Sequence, residues 1–116
     1  MNKLEMQYYI PRCKAKKTKV VSKLTTTYGQ VYFGVNVESA CHSLSICAER
    51  ASIINTIIHL GPRMRIKRIE VYAEKEGIEI PILPCGSCRQ LVSEYSIDET
   101  ELCGENIKYW MPNPYL

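Results

Sequence analysis

The sequence predicts an α/β domain built on a mixed sheet with helices packed on its faces. Three observations carry that expectation. β-branched residues crowd an early segment on both sides of a turn signal, a 14-residue apolar helix pattern ends at Gly61-Pro62, and strand and helix signals then alternate to the end of the chain.

Taken in order, residues 19–27 (Lys19-Val20-Val21-Ser22-Lys23-Leu24-Thr25-Thr26-Thr27) read as a strand. Tyr28-Gly29 is the turn, and alternation resumes over 30–37, so the two segments make a hairpin. Over 47–60, Ala48, Ala51, Ile53, Ile54, Ile57 and Ile58 cover much of a helix surface, and this helix is expected to be largely buried. A strand over 66–73, a turn at Glu76-Gly77, a second helix over 85–95 opened by Pro84, and a last strand over 107–111 complete the order β-β-α-β-α-β. Helices between strands imply right-handed crossovers. Residues 1–17 form an atypical, short segment: Pro11 interrupts it, and with Lys14, Lys16 and Lys17 it makes a poor first helix.

A chain of 116 residues has room for one domain, spanning 1–116, and a core this small gains from oligomerisation. The formal charge of +3 is modest, and the lysines near the start read as a solvated strand and tail with no basic-aromatic repeat, so no nucleic-acid partner is expected. No long apolar run or charged-then-apolar leader is seen, which points to a cytoplasmic protein without a membrane partner.

Six cysteines in so short a chain could form a disulfide framework, yet Cys-x-x-Cys among alternating strands and helices is more often metal or redox chemistry. Cys47-Ala48-Glu49-Arg50 and Pro84-Cys85-Gly86-Ser87-Cys88 supply three thiols and a carboxylate. A catalytic zinc takes three protein ligands and keeps a fourth tetrahedral position for water; Cys47, Cys85 and Cys88 are the three. Cys85 and Cys88 share one side of a helical first turn, whereas Cys47 and Glu49, two apart, face one metal only if it sits off a helix end. One zinc ion between two helix N-termini is the expectation, and the positive helix ends favour thiolates. Glu49, not needed as a ligand, suits proton relay as general acid and base. Three thiolates around a divalent ion leave net charge −1, and Arg50 is the candidate to offset it by donating to a ligand sulfur.

Gly34-Val35-Asn36-Val37-Glu38-Ser39-Ala40, Leu44, Cys47-Ala48-Glu49-Arg50, and Pro84-Cys85-Gly86-Ser87-Cys88-Arg89-Gln90 with Ser93-Glu94 resemble the small homotetrameric zinc-dependent cytidine deaminases. The resemblance runs from about Val20 to the C-terminus and implies a three-layer αβα sandwich with helices on both faces, a three-thiolate zinc site, and deamination of cytidine or deoxycytidine in pyrimidine salvage. It implies ribose binding by Asn36 and Glu38, substrate contact at Ala48, and a homotetramer whose neighbouring subunits complete each site. The tail around Trp110-Met111 and Tyr115 resembles the family's ending in altered form, and Tyr115 is a candidate to reach across an interface.

Departures surround the substrate rather than the metal. Thr18 stands where the family has a Phe that packs on the base; Ser39, Cys41 and His42 replace the commoner Asn, Ser and Tyr; and Leu83 replaces a Ser. They leave open a deaminase of another cytosine-bearing nucleoside, such as a blasticidin-type antibiotic. Two other classes compete: a structural zinc module closed by Cys41 or Cys103, and a thiol-disulfide oxidoreductase using Cys85 and Cys88, which leaves Pro84 and Glu49 unexplained. Nucleic-acid editing lacks any aromatic platform. Cys13, Cys41 and Cys103 otherwise read as free thiols, and His42 and His59 as packed or surface imidazoles.

Overall fold

The computed structural model describes residues 18–37 and 45–111. β1 (Thr18–Thr26) and β2 (Val31–Val35) form the expected antiparallel hairpin, in register Val21↔Val35 to Thr25↔Val31. Gly29, at φ 85°, supplies the left-handed turn residue. The helix α1 (Ala48–Leu60) follows, then β3 (Ile66–Lys75), β4 (Ile78–Glu79), α2 (Gly86–Glu94), β5 (Ser96–Leu102), β6 (Glu105–Asn106) and the one-turn α3 (Ile107–Trp110). The sheet order is β2-β1-β3-β5-β6, with β4 paired to β3. β1 runs antiparallel to β3 while β5 runs parallel to it, so the sheet is mixed, as expected.

Two assignments change. The segment expected as a final strand over 107–111 is the helix α3, because the Asn106 side chain accepts from the Lys108 N–H at 2.9 Å and caps a turn there. The strand beside β3 is instead β5, whose sequence Ser-Ile-Asp-Glu-Thr-Glu-Leu carries three acids and buries only Thr100 and Leu102. Its strand character comes from pairing with β3 rather than from its own pattern.

The main core joins Leu24, Ile53, Ile66, Ile69, Val92 and Leu102, so α1 and α2 pack against the same face of the sheet. The other face carries a smaller cluster, Val21 and Tyr72 with Phe33 and Val35. The expected helices on that second face are not among the described residues. α1 is buried along one stripe and not all round: Ile53 is 1% exposed, but Ile54 and Ile58 are 45% and 73% exposed, since a sheet covers one side of a helix.

Close contact fixes α1 on the hairpin. Gly34 lies against the α1 backbone, where a β-carbon would collide with Ser52 N and Ala48 O. The buried Ser22 and Ser52 hydroxyls meet at 3.0 Å, and Ser52 Oγ donates to the Glu49 carbonyl at 2.8 Å. The first turn of α1 is thereby tied to β1 and β2.

Candidate active site

Cys47 and Cys85 are the N-caps of α1 and α2, both with extended backbone, so the two helix starts converge as the spacing required. Cys47 Sγ lies 3.9 Å from Cys85 Sγ, and Cys85 Sγ lies 3.3 Å from Cys88 Sγ. All three sulfurs fall within 4.8 Å of one another. Sulfurs on a tetrahedral zinc with bonds of about 2.3 Å would be spaced by about 3.8 Å, so the donor set fits that ion. Among the described residues no fourth His, Cys, Asp or Glu joins the group, and Cys103 is not part of it. Cys13, Cys41 and His42 lie outside the described residues.

The three thiols differ electrostatically. Burial pushes the Cys85 thiol up, but the Cys88 N–H, donating to its sulfur at 3.4 Å, and the neighbouring thiols outweigh it and hold Cys85 below the ordinary thiol value. Burial raises Cys88, which is fully buried, and the Glu49 charge adds to the rise. Burial also raises Cys47. Ligation therefore has to displace protons from two reluctant thiols.

Glu49, in the first turn of α1, is 4% exposed. Burial raises its carboxyl above the ordinary carboxylate range, opposed by its own backbone N–H and by the Cys88 thiol beside it. It lines a pocket of about 220 Å³ together with Cys47, Cys85, Ala48 and Asn36. Ala48 presents only 1% of its surface. The structure thus brings Cys47, Cys85, Cys88, Glu49, Ala48 and Asn36 to one place.

Asn36 sits there by acting as an extension of the hairpin ladder. Its Oδ1 accepts from Val20 N at 2.9 Å and its Nδ2 donates to Thr18 O at 3.0 Å. Glu38 lies outside the described residues, as does Tyr115. Arg50 is half-buried beside Gly86, Ser87 and Gln90 of α2, and no hydrogen bond joins its guanidinium to a described cysteine sulfur.

Of the pocket walls, Leu83 was marked in the sequence as a departure near the substrate, and it lines the cavity. Val20, Val37, Ile46 and Ile82 line it too, although their aliphatic character reads as core or loop filler. Val37 and Ile46 face each other through a two-bond bridge, at 2.9 and 2.8 Å, that closes the loop ahead of Cys47. Only their closeness to the Asn36 and Cys47 motifs could have marked them.

Comparison with known proteins agrees with this geometry. The family model described as the cytidine and deoxycytidylate deaminase zinc-binding region matches residues 3–103. A cytidine deaminase of Mycoplasma pneumoniae is 35% identical over 86 residues, covering 74% of this chain and 62% of that protein. One from Sporosarcina psychrophila is 34% identical over 93 residues, covering 80% and 62%. The chain thus spans about 62% of the length of these curated relatives. Among solved structures, cytidine deaminase from Mycobacterium tuberculosis superposes with a TM-score of 0.80 at 21% identity, over 97% of this chain and 89% of that one. Cytidine deaminase from Burkholderia pseudomallei gives 0.70 at 29% identity, over 90% and 87%. With the model matched across the thiol motifs and the fold shared, the chain belongs to the cytidine and deoxycytidylate deaminase zinc-binding family.

Proposed function

We propose that this chain is a zinc-dependent cytidine deaminase, hydrolysing cytidine and deoxycytidine to uridine and deoxyuridine with release of ammonia in pyrimidine salvage. The observation that carries the reading is the cluster of three thiol sulfurs at a pocket that Cys47, Cys85 and the buried Glu49 line. Cys47, Cys85 and Cys88 would hold one zinc per subunit. Bound there, zinc supplies a Lewis acid that makes water nucleophilic near neutral pH.

Glu49 does the proton work. Its carboxylate takes a proton from the attacking water and delivers it to the ring nitrogen beside C4, while the water oxygen adds to C4. The remaining hydroxyl proton then passes by way of Glu49 to the amino group, the C4–N bond breaks, and ammonia leaves as the C4 carbonyl forms. The raised carboxyl supports the first half of this relay, because burial makes the carboxylate a stronger base towards the attacking water. Ala48, between Cys47 and Glu49, forms part of the surface on which the base rests.

Asn36 and Glu38 bind the sugar hydroxyls in this reading. Asn36 is held rigid by its two bonds to β1, and its amide keeps one further N–H and one oxygen lone pair for a ligand. Arg50 offsets the negative charge of three thiolates from beside the first turn of α2. The active form is a homotetramer without nucleic-acid or membrane partners, and the exposed Ile54 and Ile58 ridge on α1 supports assembly. Among the described residues no helix is long and apolar enough to cross a membrane. A site needing three reduced thiols supports a cytoplasmic location.

A second reading has its own observation. The described pocket lining carries no aromatic ring, and Thr18, which by the sequence resemblance stands where the family has its base-packing Phe, is not part of it, which favours another cytosine-bearing nucleoside of the blasticidin type. Ammonia release from cytidine, deoxycytidine and blasticidin by zinc-loaded protein, with Glu49→Gln as control, decides between them. Turnover of cytidine by the wild type alone supports the proposal. Turnover of blasticidin alone replaces it with the second reading, and no turnover of any of the three with one zinc bound refutes both.

A further inference from the structure

Residues 81–85, which lead into the second ligand helix, have no regular structure. Pro81 and Pro84 have no N–H to donate. Ile80 N anchors the upstream end to Ala73 O at 3.0 Å. Among the described residues, one hydrogen bond reaches the backbone of residues 81–84: Arg89 Nε donates to Pro84 O at 3.0 Å. The carbonyl it holds belongs to the residue immediately before Cys85.

Arg89 is itself braced. Its guanidinium carbon lies 5.3 Å from the centre of the Trp110 ring, within the range of a cation–π contact. Trp110 Nε1 donates to Leu102 O at 2.7 Å. Leu102 is fully buried on β5, pairs with Ile69 of β3 and belongs to the main core. The capped turn of α3 and the edge-on ring of Tyr109, 5.0 Å away, hold the indole in place.

We propose that Arg89 and Trp110 form a strut from strand β5 to the Pro84-Cys85 corner, and that both are positioning residues for Cys85. The proposal rests on the zinc reading of the three thiols. Neither residue lines the pocket; both act by fixing where the Cys85 sulfur is presented to Cys47 and Cys88. Groups that orient metal ligands from outside the coordination shell typically change affinity or activity 10- to 100-fold when replaced.

Three full-length variants test it. Arg89→Lys keeps a cation near the ring but loses the planar Nε–H that holds Pro84 O; Trp110→Leu keeps apolar bulk but loses the ring face; Trp110→Phe keeps a ring face but loses the indole N–H. Zinc release to a chelator is expected to be about tenfold faster in Arg89→Lys and Trp110→Leu, and closer to wild type in Trp110→Phe. Cobalt-loaded Arg89→Lys and Trp110→Leu should also show altered thiolate-to-metal absorption, which a loss of stability alone would not produce. Release rates and spectra unchanged in both variants overturn the strut. In metal-free protein, amide hydrogen exchange over residues 80–88 should rise in Arg89→Lys while β1 stays protected, and unchanged exchange overturns it as well. Failure of the wild type to bind zinc or cobalt would refute the metal reading, while the exchange measurement still decides the strut.

Discussion

Replacing Gly34 by Ala tests how the ligand helix is placed. The added methyl would meet Ser52 N, Ala48 O and Ala51 C, all backbone atoms of α1, so no side chain can rotate away. The tightest of the three contacts, to Ser52 N, sets the movement: strand and helix must part by about 1.2 Å, the difference between ordinary contact at 3.4 Å and the 2.2 Å available. Overpacking of this kind costs about 3 kcal/mol. The reduced freedom of the unfolded chain returns less than about 1 kcal/mol, leaving a net loss of about 2 kcal/mol. With a urea dependence of about 1.5 kcal/mol per M, the midpoint should fall by about 1.3 M. Ala48 lies between Cys47 and Glu49, so the same displacement moves together the two residues proposed as ligand and proton carrier. Since misplacement by about 1 Å can cost about 100-fold, kcat should drop at least about tenfold with zinc still bound. A Gly34→Ala protein with the wild-type urea midpoint and kcat would refute the claim that backbone contact at Gly34 sets the position of α1.

Other perturbations address the metal, the buried hydroxyls and the remaining thiol. Removing zinc with a chelator should lower the thermal midpoint of the wild type, because an ion that binds only the folded state stabilises it by mass action; Cys88→Ala should show a low midpoint insensitive to added zinc. Ser52→Ala leaves the buried Ser22 hydroxyl without the partner now at 3.0 Å and should cost about 1–3 kcal/mol in urea denaturation, whereas Ser22→Ala/Ser52→Ala should cost less than the two single changes combined. The Cys103 thiol is pushed up to about 11 by burial and, secondarily, by Glu49, so its alkylation should be slow at pH 8 and accelerate towards pH 11. The folded chain keeps that proton where the unfolded chain has released it, so the thiol's contribution to stability is intact below the ordinary thiol value near 9 and is lost as pH rises from there to about 11.

The sequence by itself determined the hairpin, the helix at 48–60, the long strand after it and the second ligand helix, because each carries its own periodicity or its own stop signal. It also determined the metal chemistry: three thiols and a carboxylate at those spacings can meet only off the ends of two helices, and Cys47 and Cys85 are indeed the two N-caps. Tertiary structure decided what no local pattern encodes. β5 is acidic and weakly patterned, and it is a strand because β3 offers it a paired edge. Residues 107–110 are the exception, a helical turn set by the local Asn106 cap, which the strand expectation passed over. The apolar α1 is exposed at Ile58 because the sheet lies on one side only. Pocket walls such as Val20 and Ile82 and the brace from Arg89 to Trp110 join residues far apart in the chain, and such contacts exist only once the sheet has brought their elements together.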